Sequence, residues 1–89
     1  MINIREWQAG GSMINWRGQQ IYVRALGTGD PVLLIHGFPT SSLDWHLLEP
    51  LLADRFRLIS FDLLGFGLSD KPLNYDYQIT IQADLAEAV

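Results

Sequence analysis

Val32-Leu33-Leu34-Ile35-His36-Gly37-Phe38-Pro39 decides the fold of this chain. A continuous apolar run stops at a His, a Gly and an X-Pro bond. A short apolar run bounded by such breakers reads as a strand buried on both faces, as in a parallel sheet. The plan recurs at Phe56-Arg57-Leu58-Ile59-Ser60-Phe61-Asp62-Leu63-Leu64-Gly65-Phe66-Gly67-Leu68-Ser69-Asp70, as strand, Asp and glycine turn. Two strands that each end in a specialised turn describe the working edge of an open α/β sheet, where such folds place ligands. No Gly-x-Ser-x-Gly elbow occurs in the 89 residues, so the usual nucleophile of such a site is absent from this chain.

Between the two strands lies the crossover. Thr40-Ser41-Ser42 offers helix caps, and Asp44 places a negative charge in the first turn. Leu43, Leu47, Leu48, Leu51 and Leu52 recur at helical spacing, and Pro50 is expected to end, kink or restart that helix. Upstream, Met13–Trp16 and Gln19–Ala25 read as two short strands joined by a tight turn at Arg17-Gly18. Ile21 and Val23 alternate with Gln20, Tyr22 and Arg24, which predicts one buried and one wet face, as in an antiparallel edge hairpin. Gly27-Thr28-Gly29-Asp30-Pro31 is a breaker cluster before the first apolar strand. Downstream, Lys71-Pro72-Leu73-Asn74 is loop, and Ile79, Ala83 and Ala86 begin a further helix with Thr80 near its start. The expected class is therefore α/β: an antiparallel hairpin, a β-α-β unit and the start of another helix. A parallel pair wants further strands and helices beside it, and Val89 carries no C-cap signal. The chain reads as a cut segment of one domain over residues 1–89.

At 48% hydrophobic, with three Trp, three Tyr and four Phe, the composition is that of a core-forming chain. The net charge is −4 and the six Lys and Arg are scattered, which argues against a nucleic-acid partner. Cys is absent, so disulfides and thiolate metal sites are excluded. The start lacks the layout of a signal peptide, and no apolar run approaches the ~18 residues of a membrane span, so a cytoplasmic chain is expected.

With both motifs in view, the chain resembles the α/β-hydrolase family. The resemblance runs from about Ile21 to Ala83. It rests on His36-Gly37-Phe38-Pro39, on Trp45 soon after, and on the Asp-x-x-Gly-x-Gly-x-Ser-Asp pattern from Asp62 to Asp70. The wording is most similar to the epoxide hydrolase, haloalkane dehalogenase and mesoderm-specific-transcript branch. The resemblance implies the N-terminal part of a larger, mostly parallel sheet with helices on both faces. It implies hydrolysis of a small apolar substrate (epoxide, haloalkane or ester) by a nucleophile–His–acid mechanism, with no metal or organic cofactor. The nucleophile, a Ser or an Asp, and its partners would lie further along than Val89.

The resemblance also implies roles for the residues present. The Phe38 N–H would be one donor of an oxyanion hole, and one such donor is worth roughly 3–4 kcal/mol. Gly37 would free the backbone there, and Pro39, lacking an N–H and able to form a cis bond, would fix the aim. Gly37, Phe38, Pro39 and Trp45 would face substrate, and Phe66 could join an apolar pocket, although aromatics at turns also serve packing. His36 would be structural, buried and bonded to backbone, rather than a general base. Asp62 would tie down the following loop by accepting backbone N–H groups rather than act as nucleophile or metal ligand. Gly65, Gly67 and Ser69 complete that structural motif. Asp70 breaks any Gly-x-Gly-x-x-Gly phosphate loop. Ser69 does not occupy an elbow, Ser41 and Ser42 read as caps, and His46 reads as a surface residue. Two other readings stay open: a non-catalytic interaction module, or an inactive gene fragment. An exposed apolar strand edge would also permit self-association.

Overall fold

A computed structural model of the chain describes residues 3–37, 40–73 and 77–89. Asn74, placed in a loop by its sequence, lies outside them. One sheet organises the described residues. Its strands are β1 (Ser12–Trp16), β2 (Gln19–Leu26), β3 (Asp30–Ile35) and β4 (Phe56–Phe61), in the order β1-β2-β4-β3. The β1–β2 hairpin pairs Trp16 with Gln19. Arg17 and Gly18 between them both have positive φ, at 51° and 81°. That left-handed pair is the turn whose twist matches a hairpin, and Asn15 Oδ1 accepts the Gly18 N–H at 3.1 Å. β2 runs antiparallel to β4, and β3 runs parallel to β4 from Asp30↔Phe56 to Ile35↔Phe61.

The apolar run Val32–Ile35 departs from its expected burial on both faces. Leu33 and Ile35, which share one face, are 41% and 50% exposed. The reason is position: β3 is the edge strand, with β4 on one side and no described strand on the other. The interior strand β4 is the buried one, with Leu58 and Phe61 fully covered.

β2 departs in the opposite sense. Ile21 and Tyr22 point to opposite faces, yet both are buried. Ile21 sits in the main core with Trp16, Phe61, Leu64 and Leu85. The other face, expected to be wet, is covered by a helix that hydropathy did not reveal, α1 (Ile4–Ala9). Trp7 of α1 is buried over Tyr22, whose hydroxyl donates to the Trp7 carbonyl. The sequence did hold a signal for α1. Asn3 Oδ1 accepts the Glu6 N–H at 2.9 Å, the N-cap bond of a helix start, and Asn3 Nδ2 donates to Glu6 Oε1 at 3.1 Å, a side-chain variant of the capping box.

The crossover is not one helix. A 3-10 turn covers Ser42–Trp45, and a short α2 (Glu49–Leu52) restarts with Pro50 in its first turn, where the missing N–H costs nothing. The interruption takes the leucines off a common face, and Leu47 and Leu51 are 72% and 71% exposed. His46 is half-buried rather than on the surface, with Nδ1 2.9 Å from the Leu43 carbonyl. The last helix, α3 (Ile79–Ala88), begins at the expected residue, and of Ile79, Ala83 and Ala86 only Ala86 packs against the core. Leu85 is buried, with Ile81 and Ala86 beside it, whereas Ile79 is 84% exposed and Ala83 faces solvent. Gln82 supplies the reason: its amide accepts the Leu64 N–H at 3.1 Å and donates to the Leu64 carbonyl at 2.9 Å, which sets the rotation of the helix. No helix among the described residues is long and apolar enough to cross a membrane.

Candidate functional site

The parallel strands β3 and β4 end side by side at Ile35 and Phe61. The next residue of each, His36 and Asp62, is buried. The Leu63 N–H donates to His36 Nε2 at 2.9 Å. Nε2 is therefore the bare nitrogen, and Nδ1 carries the proton and donates to the Gly37 carbonyl at 2.8 Å. The imidazole thus bridges the two strand ends and spends both nitrogens on backbone. Phe66 meets the ring edge-on, 5.7 Å between centroids.

The Gly37 carbonyl also accepts the Thr40 N–H and the Thr40 hydroxyl, each at 3.0 Å. Phe38 and Pro39, with the proposed donor N–H and X-Pro bond, lie outside the described residues. At Gly37 the expected steric reason for glycine is not found: its φ is not left-handed, and an added Cβ would meet nothing among the described residues.

Asp62 holds the other end of the turn. Oδ1 accepts the Ser42 N–H at 2.6 Å and Oδ2 accepts the Leu68 N–H at 2.7 Å. A buried carboxylate is tolerated when such charge-assisted bonds replace water. One side chain thereby ties the start of the 3-10 turn to the glycine loop after β4. Ser69 extends the stitching: its hydroxyl donates to the Asp62 carbonyl at 2.6 Å and accepts the Tyr22 N–H at 3.0 Å. Asp70 exchanges two bonds with Gln20, N–H to carbonyl and N–H to Oδ2, both 2.8 Å. Lys71 Nζ donates to the Gly67 and Ser69 carbonyls.

Gly65 and Gly67 both have positive φ. At Gly67 there is a second constraint, because a Cβ would lie 2.3 Å from Asp62 Oδ2. Gly67→Ala is expected to cost about 1–2 kcal/mol from its left-handed φ alone, with the clash added. A thermal midpoint lowered by about 4–8 °C per kcal/mol would register it; an unchanged midpoint would show that the loop moves away freely.

A cavity of about 750 Å³ opens beside this loop, lined chiefly by Leu63, Phe66, Pro72, Leu73, Tyr77 and Ile79. Phe66 lines it; Gly37 and Trp45 do not. Trp45 is half-buried, and its indole N–H, itself buried, has no partner among the described residues.

Sequence reasoning missed a polar cluster behind the turn. Arg24 and Glu49 form a bidentate ion pair, Nε to Oε2 at 3.1 Å and Nη2 to Oε1 at 2.7 Å, with side chains only 11% and 6% exposed. The guanidinium lies 3.7 Å over the Trp7 ring, and Nη1 donates to the Trp7 carbonyl at 3.0 Å. Burial pulls the Arg24 pKa down, but its bonds and charge contacts with Glu49 and Tyr22 outweigh that and hold it above the ordinary arginine value. Burial, with smaller contributions from the Asp62 and Glu49 charges, raises the Tyr22 hydroxyl above the usual tyrosine range. Arg24 and Tyr22 looked like the wet face of a strand because nothing in the local alternation reveals α1 above them.

A family model described as alpha/beta hydrolase fold matches residues 30–89. The chain is 41% identical over 91 residues to the mesoderm-specific transcript homolog protein of Homo sapiens, covering 97% of this chain and 27% of that protein. It is 49% identical over 63 residues to haloalkane dehalogenase 2 of Mycobacterium bovis, covering 71% of this chain and 22% of that one. An alpha/beta hydrolase fold protein from Burkholderia ambifaria superposes with a TM-score of 0.83 at 36% identity, over 99% of this chain and 30% of the other. The chain thus spans less than a third of the length of these relatives.

Proposed function

Because this chain belongs to the alpha/beta hydrolase fold family, we propose that it is the N-terminal part of a hydrolase domain for a small apolar substrate, an epoxide, haloalkane or ester. Its own contribution is the oxyanion turn His36-Gly37-Phe38-Pro39. The observation that carries this reading is the double anchoring of the turn. His36, just past β3, holds the Gly37 carbonyl and itself accepts the Leu63 N–H from beyond β4, while Asp62, just past β4, holds the Ser42 N–H. Anchors on both sides of Phe38 are what a pre-aimed N–H there would need, and pre-aimed donors are what stabilise developing negative charge without reorganisation.

The chemistry follows from that aim. Attack on an ester carbonyl puts charge on the carbonyl oxygen, and the Phe38 N–H receives it. With an Asp nucleophile, the carboxylate attacks carbon as the C–halogen or epoxide C–O bond breaks, releasing halide or leaving an alkoxide that takes up a proton, and an alkyl-enzyme ester results. Water then attacks the carbonyl of that ester, and the same donor serves. Gly37, Pro39 and Trp45 border the substrate, and Phe66 adds an apolar wall. The nucleophile, acid and catalytic His come from sequence further along. His36 is not the base, since both its ring nitrogens are engaged.

The test is turnover by the full protein carrying this segment, on an aryl ester, an aryl epoxide and a short haloalkane. Mass spectrometry of a quenched reaction then identifies the alkylated or acylated residue. Turnover on one of the three with a covalent adduct supports the reading; a folded protein inert to all three sinks it. The 89-residue chain by itself is expected to show no turnover above a buffer blank, and activity surviving repurification would refute that division of labour.

The exposed edge of β3 favours a second reading, in which this chain pairs with a copy of itself through Asp30–Ile35. Light scattering at rising concentration tests it, and Leu33→Lys should abolish any dimer.

A further inference from the structure

We propose that Trp7 is a positioning residue for the oxyanion turn, and that α1 is the strap that carries it. This rests on the hydrolase reading above.

Only Trp7 of α1 is buried, while Ile4, Arg5, Glu6, Gln8 and Ala9 are exposed. A six-residue helix has little stability of its own. It is held in place by what Trp7 touches. The Trp7 carbonyl accepts from the Tyr22 hydroxyl and from Arg24 Nη1, and the indole ring lies under the Arg24 guanidinium. Gly11 lets the chain come this close to β2, because a Cβ there would stand 2.5 Å from the Tyr22 hydroxyl and the Val23 carbonyl. Six residues of helix thus serve to seat one indole.

That indole then reaches forward. Its N–H donates to the Ser42 hydroxyl at 3.1 Å, across 35 positions of chain, and Ser42 is fully buried. Ser42 is the residue whose N–H is held by Asp62. It stands two positions after Thr40, whose N–H is bonded to the Gly37 carbonyl. Asp62 holds the backbone N–H of Ser42 at the start of the 3-10 turn. The indole adds a second hold through a different atom, the side-chain hydroxyl. A donor's contribution to catalysis depends on its aim, and a misplacement of about 1 Å from a distant change can cost about a hundredfold in rate.

The experiment compares Trp7→Phe, which keeps an aromatic ring but loses the N–H, with Ser42→Ala, which loses the acceptor, and with the double variant, all in the full protein. Each single variant is expected to lower kcat by about ten- to a hundredfold with KM held, and the double variant to be no worse than either. In the same proteins, amide hydrogen exchange should quicken at Thr40 and Ser42 and stay unchanged along Phe56–Phe61. A merely structural Trp7 would instead lower stability and speed exchange across the sheet, with kcat held within about twofold; that result overturns the proposal. Additive losses in the double variant overturn it too. If the unaltered protein turns over no substrate, the hydrolase reading has failed, and exchange decides the rest. Quickening confined to Thr40 and Ser42 then keeps the indole's hold on the turn, and unchanged or general exchange removes it.

Discussion

Glu49→Gln is expected to destabilise the protein by about 3–5 kcal/mol, because it leaves the Arg24 charge buried without its counter-charge. The glutamine keeps the shape and one acceptor, so the loss isolates charge from packing. Arg24 cannot escape by deprotonation, since its contacts with Glu49 and Tyr22 hold its pKa above the already high arginine value. Nor can it easily swing out to water: its guanidinium is stacked on Trp7 and bonded to the Trp7 carbonyl. Arg24→Leu with Glu49→Leu removes both charges together and should recover most of the loss, as apolar replacement of a buried pair commonly does. The Trp7 carbonyl keeps the Tyr22 hydroxyl as donor in that variant. Urea unfolding of the single and double variants measures the cycle. Single losses under about 1 kcal/mol would mean that water reaches the pair and that it behaves as a surface ion pair.

Asp62→Ala should cost about 3 kcal/mol or more, since each buried donor left without an acceptor costs about 1–3 kcal/mol and two are orphaned. The orphans are the Ser42 and Leu68 N–H groups. A newly opened space next to Gly67 does not restore them, because neither N–H meets another acceptor among the described residues. Asp62→Asn should fall between the two, as one amide oxygen can serve one N–H while the amide nitrogen confronts the other as a second donor. The loss is expected to be local before it is global. Exchange at Ser42 and Leu68 should rise first, and the hairpin pairing of β1 with β2 should persist. An alanine variant that unfolds at the same urea midpoint as the parent would show that water already serves these N–H groups.

Much of the fold was legible from local pattern. β4 falls on Phe56–Phe61 as read, the hairpin turns at Arg17-Gly18, and α3 begins at Ile79. Those features depend on neighbours close in sequence: an apolar run between breakers, a glycine able to take positive φ, and a helical pattern after a loop. The errors share a different cause. Val32–Ile35 is apolar enough for a central strand yet stands at an edge, while Tyr22 and Arg24 are polar enough for a wet face yet lie beneath α1 and beside α2. Side-chain periodicity reports which residues resemble one another, not which element arrives to cover them. The leucines of the crossover failed for a local reason, since a break between Trp45 and Glu49 resets the helical phase that their spacing assumed.

The site divides along the same line. From the sequence alone came the two motifs, their order and the strand before each, and through them the family and the residues His36, Asp62, Gly67 and Ser69. Those depend on residue type and spacing, which a chain carries whether folded or not. Only the tertiary structure decided that His36 and Asp62 meet at the paired ends of β3 and β4, that Ser42 lies between Asp62 and Trp7, and that Arg24 and Glu49 stand behind them. A hydrogen bond across 35 residues has no local signature: it exists only once strand pairing has brought distant segments within about 3 Å, and that pairing is a property of the whole sheet.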